Sequence, residues 1–245
     1  MRITVGAYRK GEDIHMELKT AIVTGASSGI GLAISRMLSE EGYKVYGIGR
    51  TFPEDSDFFE KRFSLDIRET DALLRKVSEA ERVDLLVNAA GSAYYGLAEF
   101  NTPAQIQEMC RTDLEAPLIL TSALLPKLKE TKGMVINIAS VTSTRINTHG
   151  AVYGALKAGL RSYGRSLYEE VRKTGVRVVT VCPDLTANTG LYRNADFKPS
   201  AEDGCYLLPE DTAQCVKSVI NMREGAAVTE VEVRPQFNRI EKKRS

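Results

Sequence analysis

The sequence predicts an α/β fold: one doubly wound domain with a mostly parallel, seven-stranded sheet and helices on both faces. Short apolar, β-branched runs such as residues 135–138 alternate with longer segments of helical periodicity, the pattern of repeated strand–helix–strand units. One strand–helix junction carries three glycines, Gly25, Gly29 and Gly31, where a tight turn is needed. A chain of 245 residues is a normal length for one such domain.

Composition argues against several classes of partner. The net charge of +1 lacks the basic surplus that nucleic-acid binding requires. No apolar run approaches the roughly 18 residues that would indicate a membrane span. Only two histidines are present and the cysteines show no metal or redox spacing, so we expect no metal site and reduced thiols in the cytoplasm. The four cysteines are Cys110, Cys182, Cys205 and Cys215.

The first unit of the chain has the pattern of a nucleotide-binding turn. Residues 1–16 are polar and are expected to form a mobile tail ahead of a single domain over residues 17–240. Residues 19–24 predict a strand, and helical spacing follows the glycines to about residue 41. Gly25 permits the turn, Gly29 leaves room for a pyrophosphate at the helix N-terminus, and Gly31 allows close helix packing.

The second strand, residues 44–49, ends at Arg50. That position faces the adenosine ribose in this kind of fold, where a carboxylate suits a free 2′-hydroxyl and an arginine suits a 2′-phosphate. No Asp or Glu lies at this strand end, so the sequence favours NADP(H) over NAD(H). Residues 51–60 are too few for a full crossover helix.

The middle of the chain predicts strands over residues 62–67 and 83–87, with an amphipathic helix at 68–80 between them. Asp66 at the end of the third strand is a candidate N-cap of that helix. A long helix is expected over residues 103–129, with Pro103 in its first turn and a kink at Pro117.

The strongest chemical signal lies in residues 137–157. Ser140 follows the predicted strand 135–138, at the strand end where open α/β sheets bind ligands. Tyr153 and Lys157 are four apart on the next helix, so both project from one face. An ammonium beside a phenol is expected to lower the pKa of Tyr153 from about 10, which would allow proton transfer near neutral pH.

The C-terminal third predicts a strand at 177–182, a substrate loop at 188–208, a helix from 209 and an edge strand at 227–233. The last residues, 241–245, are interpreted as a solvated tail. Six side chains are candidates for the substrate pocket: Tyr94, Tyr95, Arg145, His149, Tyr192 and Arg193.

Together these features resemble the short-chain dehydrogenase/reductase family, in its short single-domain branch, over residues 17–235. Residues 24–31 match its cofactor loop, residues 88–91 match its fourth-strand motif, and Ser140, Tyr153 and Lys157 match its catalytic residues. The resemblance implies a Rossmann fold and an NAD(P)-dependent oxidoreductase acting on carbonyls and secondary alcohols.

The resemblance also implies a set of site residues. Catalytic roles are expected for Ser140, Tyr153, Lys157 and Asp113. Cofactor contacts are expected from Gly25, Ser27, Ser28, Gly29, Ile30, Gly31, Arg50, Asp66, Ile67, Asn88, Ala89, Gly91, Tyr153, Lys157, Pro183 and Thr189. Two positions depart from the family: Asp113 replaces an asparagine that holds a water linked to the lysine, and Asp184 replaces a glycine.

Alternatives within this interpretation remain open. A 3-oxoacyl thioester carried on acyl carrier protein is one candidate substrate, beside hydroxy acids, sugars and steroids. A sugar-nucleotide epimerase would need a larger C-terminal domain, and a non-catalytic NADP(H)-sensing regulator would be expected to lose Tyr153 or Lys157. Apolar residues in the helices at 103–129 and 151–173 predict a homodimer or homotetramer.

Overall fold

The structure is a computed structural model that describes residues 18–237 and 239–243. The mobile tail predicted for residues 1–16 lies outside the described residues. Within them, the chain forms one α/β domain built on a single large sheet, which confirms the predicted fold class.

Seven strands form that sheet, in the order β3-β2-β1-β4-β5-β6-β8, and every adjacent pair is parallel. The strand order reverses between β1 and β4, and a crevice for a ligand is expected at such a point. Strand bounds are β1 Thr20–Thr24, β2 Lys44–Gly49, β3 Lys61–Ser64, β4 Leu85–Asn88, β5 Met134–Ile138, β6 Arg177–Pro183, β7 Phe197–Pro199, β8 Glu230–Val233 and β9 Ile240–Lys242.

Six α-helices cover both faces of the sheet: α1 Gly29–Glu40, α2 Thr70–Ser78, α3 Pro103–Cys110, α4 Ala116–Thr131, α5 Ala151–Val171 and α6 Pro209–Ile220. Successive residues of β1 point to opposite faces, as strand geometry requires. Val23 joins a core with α1 and α6, whereas Ile22 joins a second core with α2, α4 and α5. Within the described residues, no helix is long and apolar enough to cross a membrane.

The single long helix predicted over residues 103–129 is interrupted. A π-helical turn at Arg111–Glu115 separates α3 from α4, and Pro117 lies in the first turn of α4. Proline has no N–H to donate to the carbonyl of Asp113 four residues earlier, so the irregularity falls before the proline. This turn contains Asp113, whose side chain reaches the candidate site.

The interpretation of residues 241–245 as a solvated tail is wrong for the residues that the structure describes there. Strand β9 pairs with β7 in a two-stranded antiparallel sheet, with Lys242 opposite Phe197 and Ile240 opposite Pro199. The described chain therefore remains hydrogen-bonded to the domain as far as residue 243. Its last strand lies against the predicted substrate loop.

Candidate active site

A cleft of about 550 Å³ opens at the carboxyl ends of the central strands, around the reversal between β1 and β4. It brings together most of the predicted site residues. Those lining it are Gly25, Ser27, Ser28, Gly29, Ile30, Gly31, Arg50, Asp66, Ile67, Ala89, Gly91, Ser140, Tyr153, Lys157, Pro183 and Thr189. Asn88 and Asp113 do not line the cleft, and both are buried.

The floor of the cleft is a turn that only glycine fits. Gly25 has φ +64°, and a Cβ there would lie 2.8 Å from the backbone of Ala90. A Cβ on Gly31 would lie 2.2 Å from the carbonyl oxygen of Gly25. The loop can therefore pass between β1 and β4 only because these side chains are absent.

The same loop presents the N-terminus of α1 to the cleft. Ser28 is the N-cap of this helix, but its side chain makes no capping hydrogen bond. The first N–H groups of a helix lack intrahelical acceptors and carry partial positive charge, which makes this terminus suited to a phosphate. Thr189 packs over Gly29 of this loop. Its methyl carbon would lie only 3.2 Å from a Cβ placed on Gly29.

Arg50 marks the far end of the cleft, where its side chain is exposed and, among the described residues, has no carboxylate within 4 Å. Nearby, Arg68 pairs with Asp66, with Nε 2.9 Å from Oδ1 and Nη2 2.6 Å from Oδ2. This hydrogen bond holds the pKa of the Asp66 carboxyl below its usual range. The predicted N-cap role of Asp66 is wrong, because Glu69 is the N-cap of α2.

The buried side chain of Asn88 connects neighbouring elements of the fold. Its side-chain nitrogen donates to Asn137 Oδ1 at 2.9 Å and to Thr121 Oγ1 at 3.1 Å, entirely within the protein. The amide thus joins β4 to β5 and to α4. Its expected contact with a cofactor is not supported by this placement.

The catalytic candidates meet where α5 passes the end of β5. Lys157 Nζ donates to the carbonyl of Ile138 at 3.1 Å and lies 3.0 Å from Asp113 Oδ1. Asp113 Oδ2 accepts from the N–H of Ser92 at 3.0 Å. Both Asp113 and Lys157 are buried, so their charges face each other in a poorly solvated setting. Burial raises the pKa of Asp113, and the charge of Lys157 opposes that rise.

Tyr153 does not have the lowered pKa that its spacing from Lys157 suggested. Its ring is only 3% exposed, and burial raises the pKa of its phenol well above 10. The neighbouring Tyr95 and the charge of Asp113 raise it further, while a hydrogen bond with Ser140 lowers it. The prediction failed mainly because burial of the phenol outweighs the effect of a nearby ammonium, and the charge of Asp113 adds to the rise.

A second cavity of about 430 Å³ adjoins the cleft on the other side of Ser140. The two spaces share the residues Ser140, Asp184 and Tyr192. Of the residues predicted for the substrate pocket, Tyr95, His149 and Tyr192 line this cavity. Tyr94 and Arg193 line the larger cleft instead.

Arg145 lines neither space and lies 3.7 Å from Glu232. Asp184, in place of the family glycine, causes no backbone strain, because its φ is not positive. Its carboxylate accepts from the N–H of Leu185 at 2.8 Å and pairs with Arg234 at 3.0 Å.

Aromatic rings enclose Tyr153 from the side of the second cavity. The ring centroid of Tyr95 lies 5.8 Å from those of both Tyr153 and Tyr192, and 5.1 Å from that of Phe197. Burial raises the pKa of Tyr192 to about 12, so this phenol stays neutral at physiological pH. Packing of these rings thus leaves Tyr153 only 3% exposed.

One polar cluster in the cleft was missed by the sequence interpretation. Glu108 accepts from Ser92 Oγ at 3.0 Å and from the Tyr94 hydroxyl at 3.1 Å, and lies 3.5 Å from Arg68. Glu108 precedes the cleft residue Thr112 by four positions, so helical spacing alone could have placed both on one face.

The residues present fit a phosphorylated dinucleotide. A glycine cradle and an uncapped helix N-terminus suit its pyrophosphate, and the unpaired Arg50 suits a further phosphate. Among the described residues, no group of three or more metal-ligating side chains comes together.

Comparison with known sequences agrees with this architecture. A family model described as short chain dehydrogenase matches residues 19–198. An uncharacterized oxidoreductase of Staphylococcus aureus strain USA300 is 31% identical over 234 residues, covering 89% of this chain and 97% of its own. An uncharacterized oxidoreductase of Staphylococcus epidermidis is 30% identical over 229 residues, with the same coverage.

Solved structures are similar over most of the chain. The alcohol dehydrogenase from Thermococcus sibiricus, complexed with 5-hydroxy-NADP, has a TM-score of 0.80 at 26% identity, covering 91% of this chain and 99% of its own. Serine dehydrogenase from Escherichia coli has a TM-score of 0.75 at 27% identity, covering 87% and 96%. A metagenomic short-chain oxidoreductase in complex with NADP has a TM-score of 0.74 at 29% identity, covering 89% and 96%.

Proposed function

The chain belongs to the short-chain dehydrogenase family of oxidoreductases, and on that premise we propose that it is an NADP(H)-dependent reductase of carbonyls, or dehydrogenase of secondary alcohols, that uses Ser140, Tyr153 and Lys157. The observation that supports the proposal most is the position of Ser140 between the two spaces, with Tyr153 close to it in the cleft. Ser140 lines both the nucleotide-shaped cleft and the second cavity, and Tyr153 lines the cleft beside it.

The chemistry divides between the nucleotide and the protein. Bound nicotinamide would supply or accept the hydride at the substrate carbon. Tyr153 would give a proton to the carbonyl oxygen in reduction, or take one from the alcohol in oxidation. Ser140 would orient that oxygen and stabilise its developing negative charge.

Lys157 would act through its ammonium group. It lies at the edge of the cleft, held by the Ile138 carbonyl and by Asp113, where it can bind ribose hydroxyls and oppose the rise that burial causes in the pKa of Tyr153. Asp113 touches Lys157 and faces neither the cleft nor the second cavity. We therefore assign it the role of a positioning residue, rather than the catalytic role expected from the sequence.

NADP(H) is preferred to NAD(H) in this proposal because the exposed guanidinium of Arg50 lines the cleft and, among the described residues, has no carboxylate within 4 Å. The NADP complexes among the similar structures are consistent with that choice. The cytoplasm is the proposed compartment, since Cys110, Cys182, Cys205 and Cys215 are all free thiols. A homodimer or homotetramer is proposed through the outer faces of α4 and α5, where half-buried apolar side chains such as Leu118 and Leu125 lie.

A substrate screen tests the proposal. The purified protein should oxidise NADPH in the presence of at least one member of a panel of ketones, aldehydes and oxo acids, with an acetoacetyl thioester as a separate arm. Tyr153→Phe is the matched blank, because it keeps the ring and removes the hydroxyl. Tight NADPH binding without turnover on any member would instead favour a sensing role.

A further inference from the structure

The C-terminal strap, residues 239–243, is hydrogen-bonded to the predicted substrate loop along its length. Strand β9 of the strap pairs with β7 of the loop, and two further backbone bonds flank the pairing. The N–H of Lys243 donates to the carbonyl of Asp196 at 2.7 Å, and the N–H of Ser200 donates to the carbonyl of Arg239 at 3.2 Å. Backbone bonds at both ends fix the strap against residues 196–200.

Side chains of the strap extend this attachment to the turn that carries Tyr192. Lys243 Nζ donates to the carbonyl of Tyr192 at 2.8 Å and to that of Arg193 at 3.3 Å. On the outer face of the two strands, Glu241 lies 3.1 Å from Lys198. Charge-assisted bonds to backbone carbonyls are among the stronger hydrogen bonds, so Lys243 is the main side-chain anchor of the turn.

The inner face of the strap is a wall of the second cavity. Ile240 and Lys242 lie two residues apart, so they share one face of β9, and both line that cavity with Phe197. Ile240 is nevertheless 58% exposed, although it is a large apolar residue. An apolar side chain at a cavity rim is available to contact an apolar ligand.

The loop that the strap holds bears directly on the catalytic tyrosine. Phe197 and Tyr192 both pack against Tyr95, and Tyr95 packs against Tyr153. A displacement of the loop would therefore loosen the rings that bury the reacting hydroxyl. The strap acts on this site through contacts, without touching Tyr153 itself.

We propose that the C-terminal strap is a specificity-determining part of the substrate site. Lys243 is a positioning residue that holds Tyr192 over the active site, and Ile240 limits the size of the substituent that the cavity accepts. This inference rests on the proposed reductase function and names the feature that restricts its substrates to compact carbonyl compounds.

Two variants of the full chain separate the two roles. Lys243→Met removes the ammonium and keeps the length of the side chain, and Lys173→Met, at an exposed lysine after α5, is its matched control. We expect Lys243→Met to speed hydrogen exchange over residues 190–206 and to raise KM for the carbonyl substrate about tenfold. Its kcat should fall by a smaller factor than its KM rises, and its affinity for NADPH, whose cleft the same turn also lines, should fall by no more than about threefold.

Ile240→Ala should leave hydrogen exchange in the loop unchanged. We compare kcat/KM for a ketone with a branched or phenyl substituent with kcat/KM for a methyl ketone. In Ile240→Ala this ratio should rise severalfold. The proposal would be overturned if Lys243→Met kept wild-type hydrogen exchange and KM, and if Ile240→Ala kept the wild-type ratio of kcat/KM values.

The exchange measurement needs no substrate. If wild-type protein reduced no carbonyl, the proposed function would fail on that result alone. The attachment of the loop by Lys243 would still be tested by exchange.

Discussion

Asp113 and Lys157 form a buried ion pair, with 3.0 Å between Oδ1 and Nζ, at the rear of the candidate active site. The pair places a negative charge beside the ammonium that is expected to activate Tyr153. Burial is the main cause of the raised pKa of the Tyr153 phenol, and the charge of Asp113 adds to it. A neutral asparagine at this position, which the family uses, would leave the lysine charge unbalanced.

Asp113→Asn should shift the pH profile of alcohol oxidation to lower pH. The charge of Asp113 raises the pKa of Tyr153, so its removal should let the phenol ionise more readily. Oxidation needs Tyr153 as a base, and its rate rises as pH passes through the apparent pKa. The midpoint of kcat against pH is the measurement.

The exposed Glu115, two residues further along the same π turn, provides the control as Glu115→Gln. This change should leave the midpoint unaltered. A midpoint in Asp113→Asn that stays at the wild-type value, or moves to higher pH, would show that Asp113 does not govern the phenol. Circular dichroism checks that the variant with an unpaired Lys157 still folds.

Tyr153→Phe should lower kcat at least about a hundredfold, the low end of what general acid–base groups contribute. NADPH should still bind, because the glycine cradle and the helix terminus are untouched. Fluorescence titration with NADPH and turnover on the best substrate provide the two measurements. Tyr168→Phe, on the same helix α5, is the control and should keep wild-type turnover. Activity of Tyr153→Phe within a few-fold of wild type would remove the hydroxyl from the mechanism.

Much of the sheet could be predicted because its signals are local. Residues 44–49 form β2 with the predicted bounds, since apolar residues such as Val45 and Ile48 between turn residues indicate a strand. The glycine loop was equally readable, because backbone geometry allows few substitutes at Gly25 and Gly31.

Other features depend on contacts that sequence patterns do not record. The kink predicted at Pro117 indicated an irregularity near Arg111–Glu115 but not its form, because a π turn adds one residue to a helix without breaking its apolar pattern. The ion pair of Asp113 with Lys157 joins two helices distant in sequence. Strand β9 has only three residues, two of them charged, and forms because β7 lies beside it.

Gly31→Ala should destabilise the fold and weaken nucleotide binding together. The added Cβ would lie 2.2 Å from the Gly25 carbonyl oxygen, a backbone atom that cannot rotate away. We expect a loss of roughly 3 kcal/mol in the free energy of unfolding, the upper part of the range for overpacking. Urea denaturation and NADPH titration measure the two effects.

Gly42→Ala is the matched control for this change. Unlike Gly31, Gly42 has positive φ, +82°, but nothing lies within 4 Å of a Cβ there. Its cost should be only the strain of the left-handed backbone, about 1–2 kcal/mol, with NADPH affinity unchanged. Equal losses of stability and affinity in the two variants would contradict a special role for the close approach at Gly31.

The protein should be a homodimer or homotetramer at micromolar concentration. The half-buried Leu118 and Leu125 of α4 and Ala158 of α5 leave apolar surface that one copy does not cover. Light scattering should therefore give a mass of two or four chains of 27.0 kDa. Leu118→Glu should lower that mass, whereas Met222→Glu, at an exposed site after α6, should not. A wild-type mass of one chain contradicts the prediction.

Arg50→Asp should reverse the preference between the two nicotinamide nucleotides. The guanidinium of Arg50 lines the far end of the cleft and, within the described part of the chain, has no carboxylate partner that would have to be displaced. A charge-assisted bond to a 2′-phosphate contributes about 1.5–3 kcal/mol, which corresponds to roughly ten- to over a hundredfold in affinity. We expect the lower end, because Ser28 adds a hydroxyl but no second charge beside Arg50.

Calorimetric titration of NADPH and NADH against both proteins measures this preference. Wild type should bind NADPH about tenfold more tightly than NADH, and Arg50→Asp should lose that margin while keeping or improving its affinity for NADH. The control is Arg62→Asp, the same charge reversal on the exposed side of β3, outside the cleft. If wild type binds the two nucleotides equally, Arg50 is an ordinary surface residue, because a guanidinium facing a 2′-phosphate must distinguish a phosphate from a hydroxyl.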